Sequence, residues 1–240
     1  MFGLKLLNFL LPPRCICCGK ILQEHNGLCA DCFNKIHFIS KPLCQRCGYP
    51  LHQVSKSSSD HLYCGPCLKK KRFLFSMQRS AFIYDDFSKK LIIDFKFRDK
   101  TFSASVLANI LYTAGSDIWA ENPDLLIPVP IHPLRLLKRR YNQCSLLTKH
   151  LSAKCRIPAD YNSLIRHKNT IPQVELSGKA RRQNLKTAFM VKYPQNIKDK
   201  KIVLIDDVST TGSTLNECAK ALRSAGASAI YSLTLGRVTK

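Results

Sequence analysis

Four Cys-x-x-Cys pairs, Cys15/Cys18, Cys29/Cys32, Cys44/Cys47 and Cys64/Cys67, crowd the N-terminal part of this chain and restrict what it can become. Nine of the twelve cysteines lie between Cys15 and Cys67, while Cys144, Cys155 and Cys218 are scattered singly and read as buried small hydrophobes. A segment that short, with few long apolar periods, cannot bury a sufficient core and needs covalent or metal staples. Two thiolates separated by two residues in a tight turn reach one tetrahedral ion at about 2.3 Å. Gly19 and Gly48 each follow a pair directly and suit such turns, because glycine tolerates positive φ. Two sequential pairs fill one four-thiolate shell, so the eight residues predict two structural zinc sites, with Cys17 in surplus. Disulfides, an iron-sulfur cluster and redox-active pairs are the alternatives.

Compartment weighs between these staples. Met1 to Leu11 is apolar, but Asn8 interrupts it, Pro12-Pro13-Arg14 follows, and no small-residue cleavage site precedes the cysteines. It reads as a short helix packing on the domain rather than a signal peptide. No later apolar run approaches the roughly 18 residues of a membrane span, so no span is expected. A reducing cytoplasmic location follows as the default, which favours zinc.

Texture changes near Lys69-Lys70-Lys71-Arg72, a self-repelling run of charge that reads as a linker. We therefore expect a zinc-ribbon module over residues 1–72 and an α/β domain over 76–240. In the latter, Ser80–Tyr84 reads as a strand, Ser103–Ile118 as a helix, Leu125–Val129 as a short apolar strand and Gln143–Lys154 as a helix. Ile202–Ile205 is an apolar run without alternation, the mark of a strand buried on both faces. Leu215, Cys218, Ala219 and Leu222 follow at helical spacing, Gly226 provides a stop, and Ala229–Leu235 returns as a strand. Strand, helix, strand with short joints means a parallel sheet.

The sharpest chemical signal sits at that first joint. The strand ends in Asp206-Asp207, and Val208-Ser209-Thr210-Thr211-Gly212-Ser213-Thr214 leads straight into the amphipathic helix. Backbone N–H groups and the dipole at a helix N-terminus attract an anion, so Thr210 to Thr214 can wrap a phosphate. Gly212 permits close approach, and the hydroxyls of Ser209, Thr210, Thr211, Ser213 and Thr214 add donors. Carboxylates repel phosphate but accept hydrogen bonds from sugar hydroxyls, which gives Asp206 and Asp207 a ribose to hold. A Walker B strand also ends in acid, but no GxxxxGK[ST] loop exists here to accompany it. A turn or a helix cap would explain one Asp, not two followed by Thr-Thr-Gly.

This stretch resembles the fingerprint of type I phosphoribosyltransferases, and the whole chain is similar to the ComF family, which includes competence proteins ComF/ComFC and the GntX proteins. Further motifs carry the resemblance: Lys96-Phe97, Ile127-Pro128-Val129-Pro130, Arg139-Arg140-Tyr141-Asn142-Gln143, then Arg166, Gln173, Arg181 and Asn184 before Phe189. Arg140 stands where the family has Gly. The resemblance implies a parallel-sheet domain binding phosphoribosyl pyrophosphate or a related ribose phosphate, with Mg2+ on the pyrophosphate. Asp206 and Asp207 would act at the ribose as pyrophosphate leaves through an oxocarbenium-like state. Val129, Pro130 and Arg139 would meet the pyrophosphate, and the basic segment carrying Arg166 and Arg181 would close over it. The protein's work is then positioning and charge stabilisation. The family also implies a role in DNA uptake beside protein partners of the uptake machinery. The net charge of +22 suits a second reading, a non-catalytic accessory factor that binds single-stranded DNA.

Overall fold

The computed structural model describes residues 12–23, 27–51, 62–69, 73–97, 101–168 and 187–239. The expected helix at Met1–Leu11 and the charge run from Lys70 to Arg72 lie outside them.

The N-terminal cysteines build the same small unit twice. In the first copy the Cys15 N–H donates to the Lys20 carbonyl and the Gly19 N–H to that of Cys15. In the second, Cys44 N–H donates to Tyr49 and Gly48 N–H to Cys44, so the two turns match bond for bond. Each pair is completed by a short helix, α1 (Ala30–Asn34) carrying Cys32 and α2 (Gly65–Lys69) carrying Cys67. Gly19 and Gly48 take φ values of +78° and +67°, as the turn reading requires.

Strands β1 (Met77–Ile83), β2 (Leu125–Pro128), β5 (Lys201–Ser209) and β6 (Ala229–Arg237) form a parallel sheet in the order β1-β6-β5-β2. A separate antiparallel pair joins β3 (Leu164–Arg166) to β4 (Phe189–Val191). Side chains alternate across β5: Val203 and Ile205 bury on one face with α3 (Asp86–Phe97), α4 (Ser103–Ala114) and α7 (Gln143–Cys155). Ile202 and Leu204 bury on the other, against Leu215, Cys218, Ala219 and Leu222 of α8 (Ser213–Ser224). Both faces are covered, which is why the strand reads as an unbroken apolar run.

One expected element divides. The helix foreseen over Ser103–Ile118 breaks at Gly115 into α4 and α5 (Ser116–Trp119). A Cβ at Gly115 would lie 2.8 Å from the Trp119 ring, whose indole N–H donates to the Tyr112 carbonyl. The ring therefore folds back over the bare backbone and turns the chain.

The ribbons cap the β1 edge of the sheet, where a row of backbone groups would otherwise invite another chain. Ile39 N–H donates to Ala81, Ile83 N–H to His37, and Gln78 N–H to Arg46. Gly48 lies at the closest approach: a Cβ there would sit 2.6 Å from the Gln78 carbonyl oxygen, at a φ disfavoured for L-residues. Gly48→Ala is thus expected to lower stability by about 1–3 kcal/mol, read as a lower melting temperature with zinc content unchanged.

Candidate functional site

Asp206 and Asp207 stand at the carboxyl end of β5, where ligands collect in open parallel sheets. β5 continues through both acids to Ser209, since Asp206 pairs with Thr234 and Ser209 with Arg237 of β6. Gly212 follows at φ +70° as the N-cap of α8, and the Asn216 N–H closes the first turn on its carbonyl. Thr210 and Thr211 are exposed, while Thr211 Oγ1 and Ser213 Oγ bond at 2.7 Å. The first N–H groups of a helix lack partners within it, so this loop offers donors to an anion.

The acids are bound differently. Asp206 is buried, and its Oδ1 accepts from the Asp207 N–H at 2.9 Å and the Cys144 thiol at 3.4 Å. Burial first, and the Asp207 charge second, push the Asp206 carboxyl up to about 7. Burial and the neighbouring acids likewise raise the Cys144 thiol, so it serves as a donor rather than a thiolate. Asp207 Oδ2 pairs with Lys96 Nζ at 2.9 Å. Burial alone would lower Lys96, but the Asp207 charge and hydrogen bond outweigh it and raise its pKa.

A pH dependence follows. A carboxyl raised above its ordinary 3.8 favours the folded state while protonated, so that contribution is lost as pH climbs through about 7. The carboxylate is the better acceptor for a sugar hydroxyl, so affinity for ribose 5-phosphate should instead rise across the same window. The phosphate's own ionisation near pH 6 adds to the slope. Titrations with wild type and Asp206→Asn separate the two, because only the acid's share disappears in the variant.

The resemblance motif around Asn142 holds the site from behind. Asn142 caps α7 by accepting from the Cys144 N–H, and its amide donates to the Val129 carbonyl at 3.1 Å. Val129 N–H in turn donates to Ile205, which fixes the Val129-Pro130 turn beside the acids. Tyr141 donates to Phe95 O and Gln143 to Lys96 O, pinning the end of α3 that carries Lys96. Arg140 ends α6 (Pro133–Arg139) at φ +65°, a left-handed position natural for glycine.

Arg166 is buried 5.5 Å from the Phe189 ring, and Arg139 is half-buried at the end of α6. Burial and the charge of Arg135 lower Arg166 to about 10, while Asp206 counters them. Burial and Arg139 lower Arg135 in the same way, so the guanidinium groups repel one another. Such a group of cations gains from an anion between them. Arg181, Gln173 and Asn184 lie outside the described residues. Sequence reasoning assigned no role to Lys96, Cys144 or Arg135. Only Lys96 left a signal, in the Lys96-Phe97 motif.

The cysteines fall into the expected sets, Cys15, Cys18, Cys29, Cys32 and Cys44, Cys47, Cys64, Cys67, with no disulfide among the described residues. Cys18 approaches Cys29 at 3.6 Å and Cys47 approaches Cys64 at 3.5 Å. Thiolates on a tetrahedron with metal-sulfur bonds of about 2.3 Å lie about 3.8 Å apart, so the donor sets fit zinc. The Cys29 N–H also points at Cys15 Sγ, the kind of donor that steadies a thiolate.

Fold and cysteine sets together define a double zinc ribbon joined to a phosphoribosyltransferase-like domain. Residues 6–69 match the double zinc ribbon domain family, and residues 147–238 match the phosphoribosyl transferase domain family. Competence protein F of Haemophilus influenzae is 38% identical over 230 residues, covering 93% of this chain and 96% of that protein. DNA utilization protein YhgH of Escherichia coli is 32% identical, covering 92% and 95%, and Competence protein ComFC of Bacillus subtilis 27%, covering 90% and 87%. The chain belongs to this ComF family. Among the described residues no helix is long and apolar enough to cross a membrane.

Proposed function

We propose that the chain binds phosphoribosyl pyrophosphate or a related ribose phosphate. Asp206 and Asp207 accept from the ribose hydroxyls, and Val208 to Thr214 cradle the 5-phosphate. The observation that carries the reading is the acid pair set between a buried strand end and a helix N-terminus whose N-cap glycine is left-handed. Pyrophosphate belongs on the β2 side of the acids, against Val129 and Pro130, with Arg139 and Arg166 supplying charge and Arg181 expected to join them. Magnesium would arrive on the pyrophosphate, and hard carboxylate and phosphate oxygens suit that ion. Lys96 neutralises Asp207 in the meantime, so the pair does not repel an incoming anion. Glycosyl transfer then requires an acceptor nucleophile at the anomeric carbon.

The names of the relatives, competence and DNA utilization proteins, support a role in DNA uptake or use. The charge of +22 favours the second reading, binding of single-stranded DNA as an accessory factor. Titrating phosphoribosyl pyrophosphate with magnesium, beside a single-stranded oligonucleotide, decides between them. Binding of the first alone supports the transferase reading, and binding of DNA alone the accessory factor.

A further inference from the structure

A cleft that the reading above leaves unused opens beside the phosphate loop. Val129 and Pro130 lie on the β2 side of the acids. On the β6 side, Ser209 to Gly212 form one wall of a cleft of about 860 Å3 whose opposite wall is the second ribbon. That volume is near the top of the roughly 300–1,000 Å3 range of sites for drug-sized ligands, and more than a sugar phosphate fills.

Rings and cations alternate along its lining. The Arg46 guanidinium lies 4.7 Å from the Tyr63 ring centre and 4.1 Å from that of Phe73. Arg237 lies 5.6 Å from the Tyr49 ring and donates to the Cys47 carbonyl, which ties the end of β6 to the second ribbon. All five side chains are half-buried, so they are held in place yet reachable. Rings that stack on base faces, interleaved with cations for phosphates, make up the chemistry of single-stranded nucleic-acid sites.

We propose that this cleft and the acid pair together bind the 3′ end of a single strand. The inference rests on the assignment of the loop to a ribose 5-phosphate. A ribose held by its hydroxyls at Asp206 and Asp207, with its phosphate on the loop, can be extended toward β6 only through that phosphate. Extension there makes the held sugar the 3′-terminal nucleotide, with free hydroxyl on the acids. The penultimate nucleoside enters the cleft, against Tyr49, Tyr63 and Phe73, and Arg46 and Arg237 meet the next phosphate.

The test compares uridine 5′-monophosphate with uridylyl-(3′→5′)-uridine, and the thymidine monophosphate with its dinucleotide, by isothermal titration. One stacked base predicts a gain of about fivefold or more for a dinucleotide over its mononucleotide. Tyr49→Leu with Tyr63→Leu should erase the gain while leaving mononucleotide affinity and zinc content unchanged. A phosphate on the terminal 3′ oxygen should erase it too, in the wild-type chain. A gain in the thymidine pair identifies a DNA end, and a gain in the uridine pair alone an RNA end. No gain in either pair, or a gain that survives the double variant or the 3′ phosphate, overturns the proposal. Failure of the loop assignment looks different, because ribose 5-phosphate and the mononucleotides would then not bind the wild-type chain at all.

Discussion

Replacing Cys44 and Cys47 together by serine is expected to release one of the two zinc ions and free the second ribbon from the sheet edge, leaving the first ribbon in place. Zinc binding in such modules is worth about 10–16 kcal/mol, comparable to the whole stability of a domain at about 5–15 kcal/mol. Loss of a shell therefore unfolds the ribbon that depends on it. Amide exchange reports which one: the Gln78 N–H is held by Arg46 of the second ribbon, and the Ile83 N–H by His37, beyond the first. The Cys44/Cys47 variant should expose Gln78 and spare Ile83, and a Cys15/Cys18 variant the reverse. A wild-type metal content near zero, with the paired thiols freely titratable, would contradict the assignment.

The second large effect is at the acids. Asp206→Asn with Asp207→Asn keeps the shape of both side chains and removes the charge that strengthens acceptance from a hydroxyl. Hydrogen bonds to a charged group contribute about 1.5–3 kcal/mol each, so the double change should cost roughly tenfold or more in ribose 5-phosphate affinity. The structure adds a consequence for stability. Lys96 loses its carboxylate partner, and with side-chain exposure of 21% it cannot fully recover the loss from water. Breaking a buried pair from one side costs about 3–5 kcal/mol, and the partial exposure here places the cost at or below the lower figure. Adding Lys96→Met should restore stability without restoring affinity. Gly212→Val acts on the loop itself: a Cβ there meets nothing closer than 3.8 Å, so its harm comes from the left-handed φ and from crowding a ligand.

The parts legible in the sequence were those written in local patterns. The run Ile202–Ile205, the spacing of Leu215, Cys218, Ala219 and Leu222, and the cysteine pairs each report a period or a turn confined to neighbouring residues. The acid pair and Thr-Thr-Gly loop were readable for the same reason, since strand end, loop and helix start are contiguous. Cys144 gave no such sign, because its thiol meets Asp206 only once α7 packs against β5. Arg135 was likewise invisible until α6 brought it near Arg166. The backbone hydrogen bonds that attach the ribbons to β1 leave almost no trace in side-chain identity, and Arg79, whose guanidinium also donates to the Gln45 carbonyl, gave no sign of that partner either. Gly48 is legible as a turn glycine, but its close approach to Gln78 arises only once the second ribbon docks on β1.

Isothermal titration of ribose 5-phosphate into the wild-type chain and the Asp206→Asn/Asp207→Asn variant decides whether the two acids hold the sugar. Zinc content and circular dichroism establish that both proteins are folded. Measurable binding to the wild type is expected, with a loss of about tenfold or more in the variant. Equal affinity in a well-folded variant would contradict it and reduce the two acids to turn formers at the end of β5.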